Sequence, residues 1–151
     1  MQETNDLRQS CVDAPTDRAG AQSNGKILNI SQITCANPYY RQEIWTGDYM
    51  QLTVMTIPAG GEIGLELHEA FDQLLRVERG CGAVYMGNTK QSVKYVGHAN
   101  SDDLIVIPAG TWHNVINDQN RPLQLYSVYA PPHHPVGTVH KTKFDSDIAD
   151  Y

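Results

Sequence analysis

A carboxylate, an imidazole and an amide occur close together in residues 60–80, which read GGEIGLELHEAFDQLLRVERG. Glu66 and His68 are two residues apart in an otherwise apolar run, and Gln73 follows five residues later. In an extended strand, residues two apart project from the same face, so Glu66 and His68 are predicted to point together. Burying either polar side chain alone is costly or shifts its ionisation. A divalent cation solves this problem, because it takes up both the carboxylate charge and the imidazole lone pair.

A second segment, residues 102–117, offers a further ligand. It reads DDLIVIPAGTWHNVIN and places His113 just after a Pro-Ala-Gly turn, at the start of another apolar run. Two imidazoles, a carboxylate and an amide from two separate strand pairs are a suitable shell for one divalent metal. The predicted ligands are Glu66, His68, Gln73 and His113.

Short extended elements must position these side chains. From Lys26 onward, about ten short apolar or alternating runs are separated by Gly, Pro, Asn and Asp, and no long helical period occurs, which predicts an all-β sandwich or barrel. The predicted strands are 27–30, 42–45, 50–57, 62–68, 73–79, 82–86, 92–96, 104–107, 113–116 and 123–129. Only residues 31–35 and the last few residues leave room for a helical turn. Alternation predicts that Ile63, Leu65 and Leu67 face away from the site, and that one of Tyr126 and Tyr129 lines the interior.

Length and charge limit the function classes. A chain of 151 residues suits one domain, and its formal net charge of −6 argues against nucleic acid or an anionic membrane as partner. Residues 1–25 are polar and lack any sustained periodicity, which predicts a flexible N-terminal tail. The expected partner is therefore a small molecule.

Three further features predict a cytoplasmic protein. No run of about 18 apolar residues is present to span a bilayer. The first residues lack the basic and apolar regions of a secretory signal. Cys11, Cys35 and Cys81 are odd in number and have no CxxC spacing, so they form neither a disulfide framework nor a zinc knuckle.

The two polar segments resemble the paired motifs of the cupin superfamily. The first motif, G(X)5HXH(X)3–4E(X)6G, is matched in every spacing, with two ligand identities changed, by Gly60, Glu66, His68, Gln73 and Gly80. The second motif, G(X)5PXG(X)2H(X)3N, is matched by Pro108, Gly110, His113 and Asn117, with Asp102 in place of the first glycine. The chain is most similar to compact single cupins sharing GLE.H…DQ…R.E.G and a tail like Y.PPHHP.GT.HKTK. That group is often loosely labelled mannose-6-phosphate isomerase-like.

The resemblance implies a double-stranded β-helix (jelly-roll) barrel with one divalent metal inside. It places the cupin domain at residues 26–145, with a C-terminal tail at 146–151. Small single cupins commonly form dimers through exchanged N-terminal strands, and a homodimer is expected here. The outward apolar set Ile63, Leu65 and Leu67 is a further reason, because it needs cover from a second sheet or a partner.

The predicted ligand set differs from the common cupin shell of three histidines and one glutamate. Here the carboxylate of Glu66 occupies the first ligand position, and Gln73 occupies the fourth position, where the family has glutamate. The resulting two-nitrogen, two-oxygen shell is harder and favours Mn, Fe or Zn, with Ni as a further option. Asp72 is the alternative fourth ligand, but the six-residue spacing to Gly80 favours Gln73.

The remaining histidines leave two interpretations open. His133, His134 and His140 lie in a proline-rich C-terminal segment, together with Lys141 and Lys143. The segment forms either a lid that supplies an acid, a base or an anion contact, or a stiff strand exit with surface histidines. Glu66 and His68 could also be a hydrogen-bonded pair without metal.

Three function classes are consistent with these residues. The first is a metal-dependent isomerase, epimerase or lyase that uses the ion as a Lewis acid on a sugar or keto acid. The second is an Fe- or Mn-dependent dioxygenase. The third is a non-catalytic small-molecule-binding or sensing cupin. No catalytic residue is identified, and Glu66 or a C-terminal histidine is the candidate general base.

Overall fold

Nine strands, two short helices and one 3-10 turn make up the part of the chain that the structure, a computed structural model, describes, which is residues 25–149. The predicted N-terminal tail lies outside these residues, except for Gly25. The elements in chain order are α1 Ile30–Ala36, β1 Arg41–Thr46, β2 Gln51–Ile57, β3 Asp72–Arg79, β4 Cys81–Gly87, the 3-10 turn Lys90–Ser92, β5 Lys94–Asn100, β6 Leu104–Ile107, β7 Trp112–Ile116, β8 Leu123–Ala130, β9 Val139–His140 and α2 Lys143–Ile148.

The strands form two antiparallel sheets. The larger sheet has the order β6-β3-β8-β2-β1-β9, and the smaller sheet has the order β5-β4-β7. Neighbours in space are often distant in sequence, as where β3 lies between β6 and β8. This arrangement confirms the predicted all-β architecture.

The core lies between the inner faces of the sheets. Along β3, Leu75 and Val77 are fully buried, while Leu74 and Arg76, each one position earlier, are more exposed, which is the period-two pattern of a sheet with one solvated face. Burying each such side chain contributes about 1.5–3 kcal/mol. Core residues from other elements include Met55, Ile57, Ile63, Val84, Ile105, Ile107, Val115, Leu123 and Leu125.

The predicted strand 62–68 is wrong. Gly64 has a φ of 100°, a left-handed conformation that interrupts an extended run, and its N–H donates to Asn114 Oδ1 at 2.9 Å. Only two isolated bridges, at Glu62 and Glu66, connect this segment to β7.

The predicted orientation of the apolar side chains in that segment is also wrong. Because alternation is lost, Ile63 enters the core, Leu65 is 42% exposed and Leu67 lines an internal cavity. Of the three residues expected to form an outward apolar surface, only Leu65 is exposed. The homodimer therefore stays a prediction that rests on the resemblance to small single cupins.

The N-terminal prediction of a strand at 27–30 is wrong as well. Ile30 begins α1, whose N-cap Asn29 accepts a hydrogen bond from the Gln32 N–H at 3.1 Å. A capping side chain stabilises the start of a helix, so the cap at Asn29 outweighs the strand preference of the apolar residues Ile27 and Leu28. The predicted helical turn at 31–35 is confirmed.

The other predicted strands are present, with the predicted limits in β6 and shifted ends elsewhere. The greatest shift is in β5, predicted at 92–96 and observed at Lys94–Asn100, which pairs with β4 across a register irregularity between Val84 and Tyr85. The short strand β9, which pairs with β1, was not predicted.

The C-terminal helix α2 begins at a capping box between Thr142 and Asp145. The domain boundary predicted after residue 145 falls inside this helix, and the domain limits stay a prediction. With seven and six residues, neither helix of residues 25–149 is long enough to cross a membrane.

Candidate metal centre

Three of the predicted ligands converge at one point. Glu66 Oε1 lies 3.2 Å from His68 Nε2 and 3.2 Å from His113 Nε2. Potential ligand atoms of all three residues lie within 4.8 Å of one another. The side chain of His113 is 1% exposed, that of His68 12% and that of Glu66 30%, so the cluster opens to one side only.

Backbone hydrogen bonds join the two motif segments and place these side chains. The Glu66 N–H donates to His113 O, and the His113 N–H donates to Glu66 O, both at 3.0 Å. The Gly110 N–H donates to His68 O at 2.8 Å. Directly paired residues of an antiparallel bridge present their side chains on the same side, so Glu66 and His113 meet although 47 positions separate them.

The hydrogen bonds of His113 determine which ring nitrogen faces the cluster. His113 Nδ1 lies 2.8 Å from the Thr111 carbonyl oxygen, which can only accept, so Nδ1 carries a proton. In the neutral ring, Nε2 then directs a lone pair at Glu66 Oε1. Two acceptors at this distance require a proton or a cation between them, and a carbonyl on the far nitrogen is the usual second contact of a metal-binding histidine.

His68 supplies an unsatisfied nitrogen to the same point. Its Nε2 is buried and makes no hydrogen bond, despite the 3.2 Å separation from Glu66 Oε1. Its ring stacks on Phe71 with the centroids 4.4 Å apart, which holds the imidazole in place. A buried polar atom without a partner is rare and needs an explanation, and a metal ligand is one.

Glu66 is a carboxylate in this setting. Burial raises its pKa, but the close approach of the His113 and His68 imidazoles outweighs burial and holds the pKa well below the usual range. The cluster therefore presents one negative charge and two imidazoles.

Gln73 and Asp72 take opposite sides of β3, as predicted. Gln73 is 2% exposed; its Nε2 donates to Ser127 Oγ at 2.9 Å, while its Oε1 is buried without a hydrogen-bond partner. An unsatisfied buried acceptor costs about 1–3 kcal/mol, which a cation would offset. Asp72 Oδ1 instead accepts from the Ala109 N–H at 2.8 Å in an exposed position. Gln73 as the fourth ligand remains a prediction.

A cavity of about 290 Å³ adjoins the cluster. The described residues that line it are Arg41, Ile63, Glu66, Leu67, His68, Tyr129, His133, His134, Ser146, Asp147 and Ala149. Tyr129 is thus the inner tyrosine of β8, whereas Tyr126 is only partly buried.

The C-terminal histidine segment forms part of this cavity wall. Gln51 holds it: Oε1 accepts from the N–H groups of His133 at 3.1 Å and His134 at 2.8 Å, and Nε2 donates to His134 O at 2.7 Å. The ring of His133 lies 5.2 Å from that of His68, between centroids. The lid interpretation thus fits His133 and His134, whereas His140 lies beside Arg41, with its Nδ1 3.4 Å from Nη1.

Burial lowers the pKa of two cavity histidines, His133 and His134. It lowers the pKa of His134 to about 2, with a further contribution from the Arg41 charge. The pKa of His133 is lowered as well, first by burial and then by His68. A neutral imidazole can accept a proton or bind a cation, so these rings add no positive charge to the cavity.

Sequence reasoning missed Arg41 and Gln51 as residues that build the cavity. Both are fully or almost fully buried polar residues at the first position of a strand, β1 and β2. No local pattern identifies them, because their contacts join them to Ser146 and His134, far along the chain.

Comparisons with known proteins agree with the fold. The family model described as the cupin domain matches residues 53–129, which contain the four predicted ligands. Two uncharacterized relatives match: YrkC of Bacillus subtilis (strain 168) is 49% identical over 124 residues, covering 82% of this chain and 67% of YrkC. L612 of Acanthamoeba polyphaga mimivirus is 37% identical over 120 residues, covering 78% of this chain and 72% of L612. The crystal structure of BH2720 from Bacillus halodurans superposes with a TM-score of 0.82 at 49% identity, over 84% of this chain and 96% of that one.

Proposed function

The chain belongs to the cupin family, and on that premise we propose that it binds one divalent metal ion, Mn, Fe or Zn, in the cavity. The ligands would be Glu66, His68, Gln73 and His113. The observation that carries the proposal is the pair of Nε2 atoms, each 3.2 Å from Glu66 Oε1, of which the His68 atom has no hydrogen bond. Two imidazoles and two oxygen donors suit a borderline or hard divalent cation.

A hydrogen-bonded group without metal accounts less well for these contacts. One proton can satisfy the His113–Glu66 contact, but His68 Nε2 and Gln73 Oε1 would both stay buried and unsatisfied. A cation at the point where Glu66, His68 and His113 converge would satisfy His68 Nε2 and the His113–Glu66 contact together. The metal-free pair is therefore the less favoured interpretation.

We propose a metal-dependent isomerase, epimerase or lyase acting on a small oxygenated substrate such as a sugar or keto acid. When bound, such an ion supplies Lewis-acid polarisation of a substrate oxygen. The chain itself shapes the site: Phe71 fixes the His68 ring, the Thr111 carbonyl fixes the His113 tautomer, and Leu67 lines the cavity. His133 is a neutral imidazole in the cavity wall, and we assign it the role of proton acceptor.

Metal content of the purified protein tests this function. We expect about one equivalent of metal per chain by plasma mass spectrometry, lost in His68→Ala and reduced in Gln73→Ala. The matched control is His98→Ala, because His98 pairs with Asp118 outside the cavity. It should retain the wild-type metal content.

The outcome of that experiment separates the three function classes. A wild-type protein that cannot be loaded with any divalent ion would contradict the enzyme proposal and leave a binding module. Bound Zn or Mn with solvent-deuterium exchange into a keto acid would support the isomerase or lyase. Bound Fe with uptake of O2 would support the dioxygenase instead.

A further inference from the structure

The outer face of the larger sheet carries a row of apolar side chains that crosses five strands. Direct cross-strand pairing joins them in the order Trp45, Leu52, Val128, Leu74 and Val106, from β1 to β6. Directly paired residues project from the same face, and the next residues along β3 and β6 are buried in the core, so this outer row points away from the core. Val106 is 56% exposed and Leu74 37%, whereas the other three are partly buried.

A second row lies beside the outer row on the same face. Its members, paired in the same way, are Gln42, Val54, Tyr126, Arg76 and Leu104. The helix α1 lies over one end of this face, where Gln124 Nε2 donates to Cys35 O at 3.0 Å. The part of the face formed by β3 and β6 is open, since Leu104 is 52% exposed. An open apolar sheet face of this kind indicates a binding surface.

This face is almost free of charge. Of the ten residues in the two rows only Arg76 is charged, and its Nη2 lies 2.9 Å from Asp102 Oδ1, so the pair is neutral. The whole chain has a formal net charge of −6, and two copies of it repel one another. A neutral face is where such copies can meet with the least repulsion, whereas a charged partner finds no opposite charge on it.

The outer row is shaped to fit a copy of itself. Its side chains decrease in size from Trp45 on β1 to Val106 on β6. A two-fold axis parallel to β8, between two stacked sheets, would place the large end of one row on the small end of the other. Close packing requires such a match of large and small side chains, and sheets that pack face to face lie about 10 Å apart.

We propose that the outer row is the interface of a homodimer, in which Trp45 packs on Val106 of the partner subunit. The dimer is isologous, so each contact occurs twice. Residues 1–24 contribute only one leucine and one valine, which favours a second copy over the chain's own N-terminal segment as the cover for this face. Five strands at a spacing of about 4.8 Å make the row about 19 Å long, which suits a small interface and a concentration-dependent dimer.

Sedimentation velocity of the full chain over about 1 µM to 1 mM tests the proposal. We expect the wild type to convert from monomer to dimer within this range. Val106→Glu should raise the dissociation constant at least about 100-fold, because each interface would bury two unpaired carboxylates. Val106 is exposed in the single chain, so this variant should fold, with the wild-type Tm at a concentration where both are monomeric.

The matched control is Phe144→Glu, which adds the same charge on α2 at a residue that is 69% exposed. It should form the dimer with wild-type affinity. Metal content should be the same in both variants and the wild type, because none of the predicted ligands belongs to the outer row. The dimer and the metal site can therefore fail separately.

Fluorescence tests the position of Trp45 in the dimer. The chain has two tryptophans, so Trp112→Phe leaves Trp45 as the only emitter. Its emission should shift to shorter wavelength as the concentration rises, because dimerisation removes the indole from water. The shift should be absent when Val106→Glu is added to Trp112→Phe.

Three results would overturn the inference. The first is a wild type that stays monomeric over the whole range, which decides without any variant. The second is a dimer of unchanged affinity in folded Val106→Glu, which would place the interface elsewhere, as in an exchange of N-terminal strands. The third is a dimer that forms without any change in Trp45 emission.

Discussion

Histidine and carboxylate side chains are in contact in two places, one on the surface and one in the cavity. The two groups differ in their exposure and in the hydrogen-bond partners of their ring nitrogens. On the surface, His98 Nε2 lies 2.8 Å from Asp118 Oδ2, and its Nδ1 contacts the Tyr95 hydroxyl. Both ring nitrogens are satisfied, and water reaches the pair. In the cavity, His68 and His113 both approach Glu66 at 3.2 Å, and His68 Nε2 has no hydrogen bond.

The difference lies in what each group lacks. In the surface group, both ring nitrogens of His98 have hydrogen-bond partners, so the group does not require a further ligand. In the cavity group, His113 Nε2 directs a lone pair at the carboxylate oxygen and the buried His68 Nε2 has no hydrogen bond, which is the basis of the proposed metal site. A histidine–carboxylate distance is therefore a weak indicator of metal binding unless the second contact of each ring nitrogen is known.

Metal-dependent thermal stability should give the largest effect in this comparison. Adding Mn²⁺ or Zn²⁺ at about 100 times its Kd should stabilise the wild type by about 2.7 kcal/mol. For a chain of this size, that corresponds to a rise in Tm of about 5–10 °C. The shift should disappear in His113→Ala and persist in His98→Ala, as measured by differential scanning calorimetry. Equal shifts in both variants would show that the cavity cluster is not the site.

Acidification should have an intermediate effect, through the buried His134. In the unfolded chain His134 takes up a proton as pH falls through about 6.5. In the folded chain burial lowers its pKa to about 2, helped by Arg41, His133 and His140. Between these pH values the unfolded state binds more protons, so the free energy of unfolding falls as pH falls below about 6.5.

Denaturant unfolding at pH 7 and pH 5 measures this effect on metal-free protein. Groups facing His134 include the Tyr129 hydroxyl at 3.3 Å, and Glu66 acts against the shift. His134→Gln should lose less stability between the two pH values than the wild type. Identical losses would show that another group causes the acid sensitivity.

The smallest effect is expected from breaking the surface pair. Hydrogen bonds with Gln119 and His98 lower the pKa of Asp118, but the carboxylate is exposed to solvent and screened. Asp118→Asn should leave both Tm and metal content within experimental error of the wild type. A clear loss of metal in this variant would remove the distinction between the two regions.

The strands of the barrel were predictable where local patterns agree with the final packing. Residues 104–107 alternate between exposed and buried, as expected for a strand with one solvated face, and the predicted limits equal those of β6. The strand prediction for residues 62–68 was wrong. Apolar residues do alternate there, but Gly64 adopts a positive φ and its N–H donates to Asn114 Oδ1. That conformation depends on a partner 50 residues away, which no local pattern reports.

The site divides in the same way. Donor type and motif spacing selected Glu66, His68 and His113 as candidate ligands, and the structure brings their potential ligand atoms within 4.8 Å of one another. Arg41 and Gln51 could not be selected, since each acts through contacts that join sequence positions far apart. Gln51 holds His134, 83 positions later, and Arg41 contacts Ser146, 105 positions later.

The sequence by itself determined the all-β class, which follows from short-range periodicity, and its resemblance to two cupin motifs indicated the family and the candidate ligands. Only the tertiary structure decided which nitrogen of His113 faces Glu66, that His133 and His134 form a cavity wall, and that Arg41 lies among them. Those facts arise from burial and long-range hydrogen bonding. The chemistry of a polar group depends on what surrounds it, and folding brings those surroundings from the whole length of the chain.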